Sequence, residues 1–212
     1  MKFGAQVPRE HYFKDYDTKE RFISYWYQID EVLRTNPKNV LEIGVGNKTV
    51  SNYLKNQGIE VTTVDIDPSL EPDRVGSVTN LRKFFEEGSF DTLLCAEVLE
   101  HLPFDCFEVA LKEMKYVAKN FVILSLPYFG IEFMFRFKVP LVKEKKLLFK
   151  IPYYREHRFD GEHYWEIGKK GYSIKFILKI LSKLFVINRY YYIADNPYHM
   201  IFALDVKDKE IN

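Results

Sequence analysis

Residues 39–67, NVLEIGVGNKTVSNYLKNQGIEVTTVDID, decide the fold of this 212-residue chain. Val40-Leu41-Glu42-Ile43 is short, apolar and bounded by glycine, the pattern of a buried strand. Gly44 and Gly46 permit a tight turn where backbone can approach a ligand closely. Thr49 to Gln57 has helical character and stops at Gly58. Ile59 to Asp65 reads as a second strand, ending in a carboxylate. The unit is strand–helix–strand, with an acid 21 residues after Gly44, the spacing that sets a carboxylate against a ribose diol.

Two ligand classes use that geometry. A dinucleotide needs a third glycine so that its pyrophosphate can rest on the helix N-terminus. Here Lys48 stands in that region, and Glu42 sets an anion at the strand end, where it repels phosphate and suits a cation. S-adenosylmethionine carries a ribose, an ammonium and a sulfonium but no phosphate, and the residues favour it.

Three further stretches join LEIGVG (41–46): TTVDID (62–67), FDTLLCAEVLEHLP (90–103) and FVILSLP (121–127). In this order and spacing the chain resembles the class I S-adenosylmethionine-dependent methyltransferases, most closely between Thr18 and Pro127. The resemblance implies a Rossmann-like α/β fold, a doubly wound, mostly parallel seven-stranded sheet with a C-terminal antiparallel hairpin. It also implies S-adenosylmethionine as cofactor, with Glu42, Gly44, Gly46, Asp65, Ile66, Ser77, Val78 and Glu97 around it. Family members often carry an adenine-binding acid where this chain has Gly76-Ser77-Val78, so Ser77 is expected to meet the adenine more weakly.

Length fits a single domain over 1–212, with an N-terminal helix over 18–34 and an inserted segment of about 128–165 after the fifth strand. A net charge of +1 gives no overall push towards nucleic acid or membrane. Two cysteines, Cys95 and Cys106, fit a reducing compartment, and a cytoplasmic location is the default expectation. In the first helix, Phe22, Tyr25, Trp26, Ile29, Val32 and Leu33 recur at helical spacing, the pattern of a helix packed on the sheet; the resemblance implies that such a helix roofs the cofactor, which would bring Tyr25 or Trp26 to it. A helix is expected over Thr79–Glu87, and another from Asp105 to Lys119, started by an Asp105/Glu108 capping box.

Between them lies the turn Glu97-Val98-Leu99-Glu100-His101, at the carboxyl end of a central strand, beside the ligand crevice of an open α/β sheet. Residues at i, i+3 and i+4 share a helical face, so both carboxylates and the imidazole can converge. Such a set suits a hard divalent ion, Mg²⁺ or Mn²⁺. The ExxEH pattern resembles the metal-using branch of the family, the ubiquinone-pathway O-methyltransferases and small-RNA 2′-O-methyltransferases. That branch adds a later histidine; His157 and His163 are available here, and His163 is the better placed. Glu97, Glu100, His101 and His163 are therefore the candidate catalytic and metal-binding set. The alternative is metal-free, with His101 as base.

Residues 131–190 hold 14 Lys/Arg against 6 Asp/Glu, while the rest of the chain is net acidic. This asymmetry suits an anionic or lipid-like acceptor or membrane-surface contact through this region, and equally a solvated basic face over an aromatic core. Segments 132–139 and 147–154 are expected to pair across the turn VKEKK. Tyr172–Phe185 reads as an amphipathic helix, and 186–194 with 198–206 as the terminal hairpin, followed by a frayed charged tail. No Asn/Asp-Pro-Pro-Tyr sequence follows the fourth strand, which argues against methylation of nucleic-acid bases. The expected activity is O-methylation of a small-molecule, sugar or lipid-like acceptor. The alternatives are an RNA 2′-O-methyltransferase and a catalytically inactive cofactor-binding partner protein.

Overall fold

The computed structural model describes residues 4, 6–14, 16–141 and 144–206. The expected tail and part of the VKEKK turn lie outside them. The opening unit folds as read: β1 (Asn39–Ile43), α2 (Thr49–Asn56) after α1 (Lys19–Arg34), and β2 (Glu60–Asp65), with β1 and β2 parallel. The chain continues outward to β3 (Arg74–Val75), then crosses β1 to lay down β4 (Phe90–Ala96) and β5 (Ala118–Pro127) on the other side. A short hairpin follows, β6 (Gly130–Phe137) and β7 (Lys145–Pro152). Last come β8 (Val186–Ile193) and β9 (Asn196–Asp205), β9 inserting antiparallel between β5 and β8. The main sheet has seven strands in the order β3-β2-β1-β4-β5-β9-β8. Its order reverses between β1 and β4, which opens a crevice at their carboxyl ends.

The central strands alternate into two cores, as the two-residue strand period requires. Leu41, Leu93 and Leu124 join one core with α3 (Phe107–Val117) and α4 (Ile174–Leu181). Val40, Leu94 and Ile123 join the other, with Val32 of α1 and Val50 and Leu54 of α2. The helix α1 is also pinned through a buried carboxylate. Glu31, 2% exposed, accepts from Arg189 Nε (3.1 Å), from the second guanidinium nitrogen and from Tyr191 Oη (2.7 Å), both residues lying on β8.

Two helix expectations are corrected. Over 79–87 the chain makes a 3₁₀ turn, Val78–Lys83, broken by Asn80 at φ −150°. The Phe84 ring lies against Gly76, where a Cβ would be 2.5 Å from it, and this packing holds the segment in a tight turn. The second helix starts at Phe107, after a 3₁₀ turn Phe104–Cys106, without a side-chain cap. Phe104 lies 5.3 Å from the Phe107 ring and 5.0 Å from Trp165, and Glu108 pairs with Lys112 (3.1 Å) instead of capping.

Candidate functional site

A cavity of about 300 Å³ opens at the carboxyl ends of β1, β2 and β4. Gly44 at its floor has φ +81°, and a Cβ there would lie 2.3 Å from Val98 Cγ2, so only glycine fits both the turn and the close approach. Gly46 (φ +47°) passes beneath the Tyr12 ring. Lys48 is itself left-handed (φ 64°), and its ammonium turns away to the Glu71 carbonyl at 2.9 Å. Asp65 closes β2 with each oxygen braced by a backbone N–H, Val45 N to Oδ2 at 2.8 Å and Asp67 N to Oδ1 at 2.9 Å. Burial outweighs these donors and raises its pKa. Ile66 and Val78 line the same cavity. Ser77 lines it too, but its hydroxyl caps the following turn through Thr79 N (3.2 Å) and contacts Thr79 Oγ1 (2.9 Å), which competes with the expected adenine contact.

Glu42 lies deeper, 5% exposed, with Oε2 lacking a hydrogen-bond partner. Burial pushes its pKa up to about 8, against the opposing effects of Ser51 and Lys55. Six carboxylates line the cavity (Glu42, Asp65, Asp67, Glu97, Glu100 and Glu162), and Arg21 is the single Lys or Arg among the described lining residues. That balance favours a cationic ligand over a pyrophosphate.

The other half of the cavity is built on the turn after β4. Glu97 leaves the strand at φ 53°, a left-handed bend that turns its side chain to the Ser125 hydroxyl, with its second oxygen 3.6 Å from His199 Nε2. Leu99–His101 is one 3₁₀ turn. Trp165 Nε1 donates to the Leu99 and Leu102 carbonyls (3.2 Å each) and Tyr164 N to the Glu100 carbonyl (2.8 Å), clamping the 160s loop onto this turn.

Glu100 is fully buried, and neither carboxylate oxygen has a hydrogen-bond partner. Burial, with the Glu97 charge behind it, lifts its pKa well above the usual carboxylate range. His101 Nδ1 faces two acceptors, Gln6 Oε1 at 2.7 Å and the Glu162 carbonyl at 3.0 Å. Gln6 Nε2 donates to the His101 carbonyl at 2.9 Å, which fixes the amide orientation. The imidazole proton therefore sits on Nδ1, and the free Nε2 lies 3.9 Å from Glu100 Oε1. Burial and the neighbouring His163 hold the His101 pKa down. His163 points Nδ1 at Glu166 Oε1 (3.0 Å), which also accepts from Tyr198 Oη (2.5 Å). Burial opposes charging of His163, but the Glu166 bond outweighs it, and its pKa rises.

Glu100, His101 and His163 each offer a ligand atom, all within 4.8 Å of one another, so one ion could contact all three. Glu97, expected as a fourth ligand, stands outside this trio because Ser125 and His199 engage it. Asp160, His163 and Glu166 form a second such group. There Asp160 already accepts from the Glu162 and His163 amides and Glu166 from Tyr198, so the orphaned oxygens belong to the first. His157 lies behind the site, its Nε2 2.8 Å from the His163 carbonyl. Tyr25 lines the cavity, whereas Trp26 is 57% exposed on the far face of α1.

The sequence reading did not single out Gln6, Tyr12, Tyr16, Arg21, Glu166, Tyr198 or His199. The i,i+3 spacing of His163 and Glu166 was the one local signal; the others arrive through tertiary folding.

A family profile described as a methyltransferase domain matches residues 41–124. Among curated proteins, the ubiquinone biosynthesis O-methyltransferase of Xanthomonas euvesicatoria pv. vesicatoria is 37% identical over a segment covering 30% of this chain. That match spans about a third of the relative's length (32%). Among solved structures, the 1,6-didemethyltoxoflavin-N1-methyltransferase of Burkholderia thailandensis superposes with a TM-score of 0.63 at 14% identity, covering 94% of this chain and 85% of that one. The magnesium protoporphyrin IX methyltransferase of Synechocystis PCC 6803 gives 0.61 at 14% identity, covering 93% and 92%. Both were solved with S-adenosylhomocysteine bound. The glycine turn, the β2 acid and the strand order thus accompany a match of residues 41–124 to a methyltransferase-domain profile, and the fold is like that of the two solved methyltransferases.

Proposed function

We propose that the protein transfers a methyl group from S-adenosylmethionine to an oxygen of a small-molecule, sugar or lipid-like acceptor. One observation carries this reading. A single cavity holds a backbone-braced Asp65 at one end and, at the other, an imidazole whose proton is kept on the nitrogen away from Glu100. The cofactor, when bound, supplies an electrophilic methyl group. Asp65 accepts the ribose hydroxyls, Glu42 meets the ammonium of the methionine portion, and Arg21 is the cation available to its carboxylate. Tyr12 closes over the glycine turn and narrows access for water. His101 Nε2 takes the proton of the acceptor hydroxyl, while Gln6 and the Glu162 carbonyl hold Nδ1–H in place.

A metal-assisted form of the same reaction is favoured by the two orphaned oxygens of Glu100. Glu100, His101 and His163 would hold the ion, which would supply Lewis acidity to the acceptor hydroxyl. Two imidazoles and one carboxylate suit Mn²⁺ better than Mg²⁺, which prefers oxygen ligands.

The test has two stages. Calorimetric titration with S-adenosylhomocysteine checks the cofactor site. A screen of hydroxyl-bearing metabolites and lipids with methyl-labelled cofactor, with the labelled atom located by NMR, checks the transfer. A product labelled on nitrogen would overturn the assignment to oxygen. Tight cofactor binding without transfer to any acceptor would favour the inactive partner protein.

A further inference from the structure

The β6–β7 hairpin stands off the main sheet and treats its two faces differently. One face is pinned to the body: Lys146 bonds Asp195 (2.6 Å), and Lys150 bonds the Pro197 carbonyl (2.6 Å) over the Tyr128 ring. The other face is a ladder of apolar cross-strand pairs, Ile131–Ile151, Phe133–Phe149 and Phe135–Leu147. All six side chains are between 49% and 57% exposed. Phe137 extends the ladder, and Val139 and Leu141 at the tip are exposed as well. A two-stranded hairpin with one face open to water is marginal by itself, and an apolar patch of this length on a soluble surface marks a contact.

Charge identifies the contact. Residues 130–152 carry six Lys or Arg against two acids. Both acids are used internally, Glu144 by Arg136 (2.6 Å) and Glu132 by Lys150 (3.7 Å). Lys138 and Lys145, where the strands meet the tip, have no ion-pair partner among the described residues. A second copy docking face to face would bring these like charges together, whereas an anionic lipid surface accepts both the aromatic ladder and the lysines.

We propose that the β6–β7 hairpin is a peripheral membrane anchor that lays its Phe133/Phe135/Phe149 face into the headgroup region of an anionic bilayer. The hairpin roots beside the cavity: Tyr128 N donates to the Tyr198 carbonyl (2.7 Å), and Lys150 holds the residue before Tyr198. The anchor is thus tied to the strand that carries Tyr198 into the cavity wall. The inference does not depend on the methyl-transfer reading, because vesicle capture needs no turnover.

The test floats the full chain with vesicles of phosphatidylcholine alone, or with about 30% phosphatidylglycerol, at low salt and at about 0.5 M salt. The chain is expected on the anionic vesicles at low salt, at least about tenfold above the neutral ones. Lys138→Glu with Lys145→Glu should cost more than about tenfold on anionic vesicles, since each basic side chain at such a surface is worth about fivefold. Phe133→Glu with Phe135→Glu should abolish capture while far-UV circular dichroism stays unchanged. A milder variant, Phe135→Trp, should shift its emission to the blue and be quenched by bromine-labelled acyl chains. Absence of capture on anionic vesicles, indifference to the Phe substitutions, or an unquenched tryptophan would each overturn the anchor. A dimer in sedimentation that the Phe→Glu pair dissolves would give the face to a second copy and overturn it too.

Discussion

Replacing Glu42 by glutamine removes a proton that cofactor binding must otherwise displace. With its pKa raised to about 8 by burial, Glu42 is about nine-tenths protonated at pH 7. A bound ammonium group beside the unpartnered Oε2 favours the ionised form, so binding expels that proton. At pH 7 the parent protein should release about 0.9 proton from this site on binding S-adenosylhomocysteine, and at pH 9 about 0.1. The affinity should therefore rise about tenfold per pH unit up to about pH 8 and level off above it. Calorimetry in buffers of different ionisation enthalpy counts the protons directly. The ligand's own amino group contributes equally to both proteins, so the difference between parent and Glu42→Gln isolates the carboxyl. The same residue leaves a signature on stability. Its folded pKa lies above the unfolded value, so its contribution is fully present at low pH and is lost as pH rises through about 8. Glu42→Gln should gain on the parent in thermal unfolding across that window in the ligand-free state. Equal proton counts for the two proteins would refute the reasoning.

Asp65→Ala should weaken S-adenosylhomocysteine binding by about 2–4 kcal/mol, the loss of two charge-assisted bonds with incomplete additivity; unchanged affinity in a folded variant removes Asp65 from the ribose site. Gly44→Ala should cost about 1–2 kcal/mol of stability from its left-handed backbone alone, plus the clash with Val98. Val98→Ala in the same chain should recover only the clash, and a Gly44→Ala Tm within error of the parent would show that the turn relaxes freely. Mn²⁺ titration followed by paramagnetic resonance should show a site that Glu100→Gln weakens more than tenfold, roughly as loss of a metal-orienting group does elsewhere. Equal Mn²⁺ affinity in that variant, with full turnover in EDTA, would leave His101 as a metal-free base.

What was legible in the sequence was local. The glycine turn, the β2 acid and the turn after β4 each lie within a few residues of a strand end, so period and spacing alone set them at the crevice. The Thr79–Glu87 helix was misread because Phe84 packs on Gly76, a contact that side-chain spacing does not announce. Tyr198 and His199 were invisible for another reason. They enter because β9 inserts antiparallel beside β5, pairing Pro127 with His199, and only the folded sheet brings those positions together. Gln6 reaches His101 across 95 residues of chain, with no motif on either side to signal it.

The bond from Glu31 to Arg189 and Tyr191 has a consequence for the order in which a newborn chain matures. Helix α1, which carries Arg21 and Tyr25 into the cavity wall, is seated by partners 158 and 160 residues downstream of Glu31. During synthesis the glycine turn and the β2 acid leave the ribosome early, yet the helix that walls them in lacks the partners of its buried Glu31 until β8 has emerged. Ribosome-stalled chains ending before Val186 should therefore fail to capture S-adenosylhomocysteine, and capture by such chains would disprove the dependence. Cofactor capture by the nascent polypeptide thus waits on a strand far downstream of the motif that holds the cofactor.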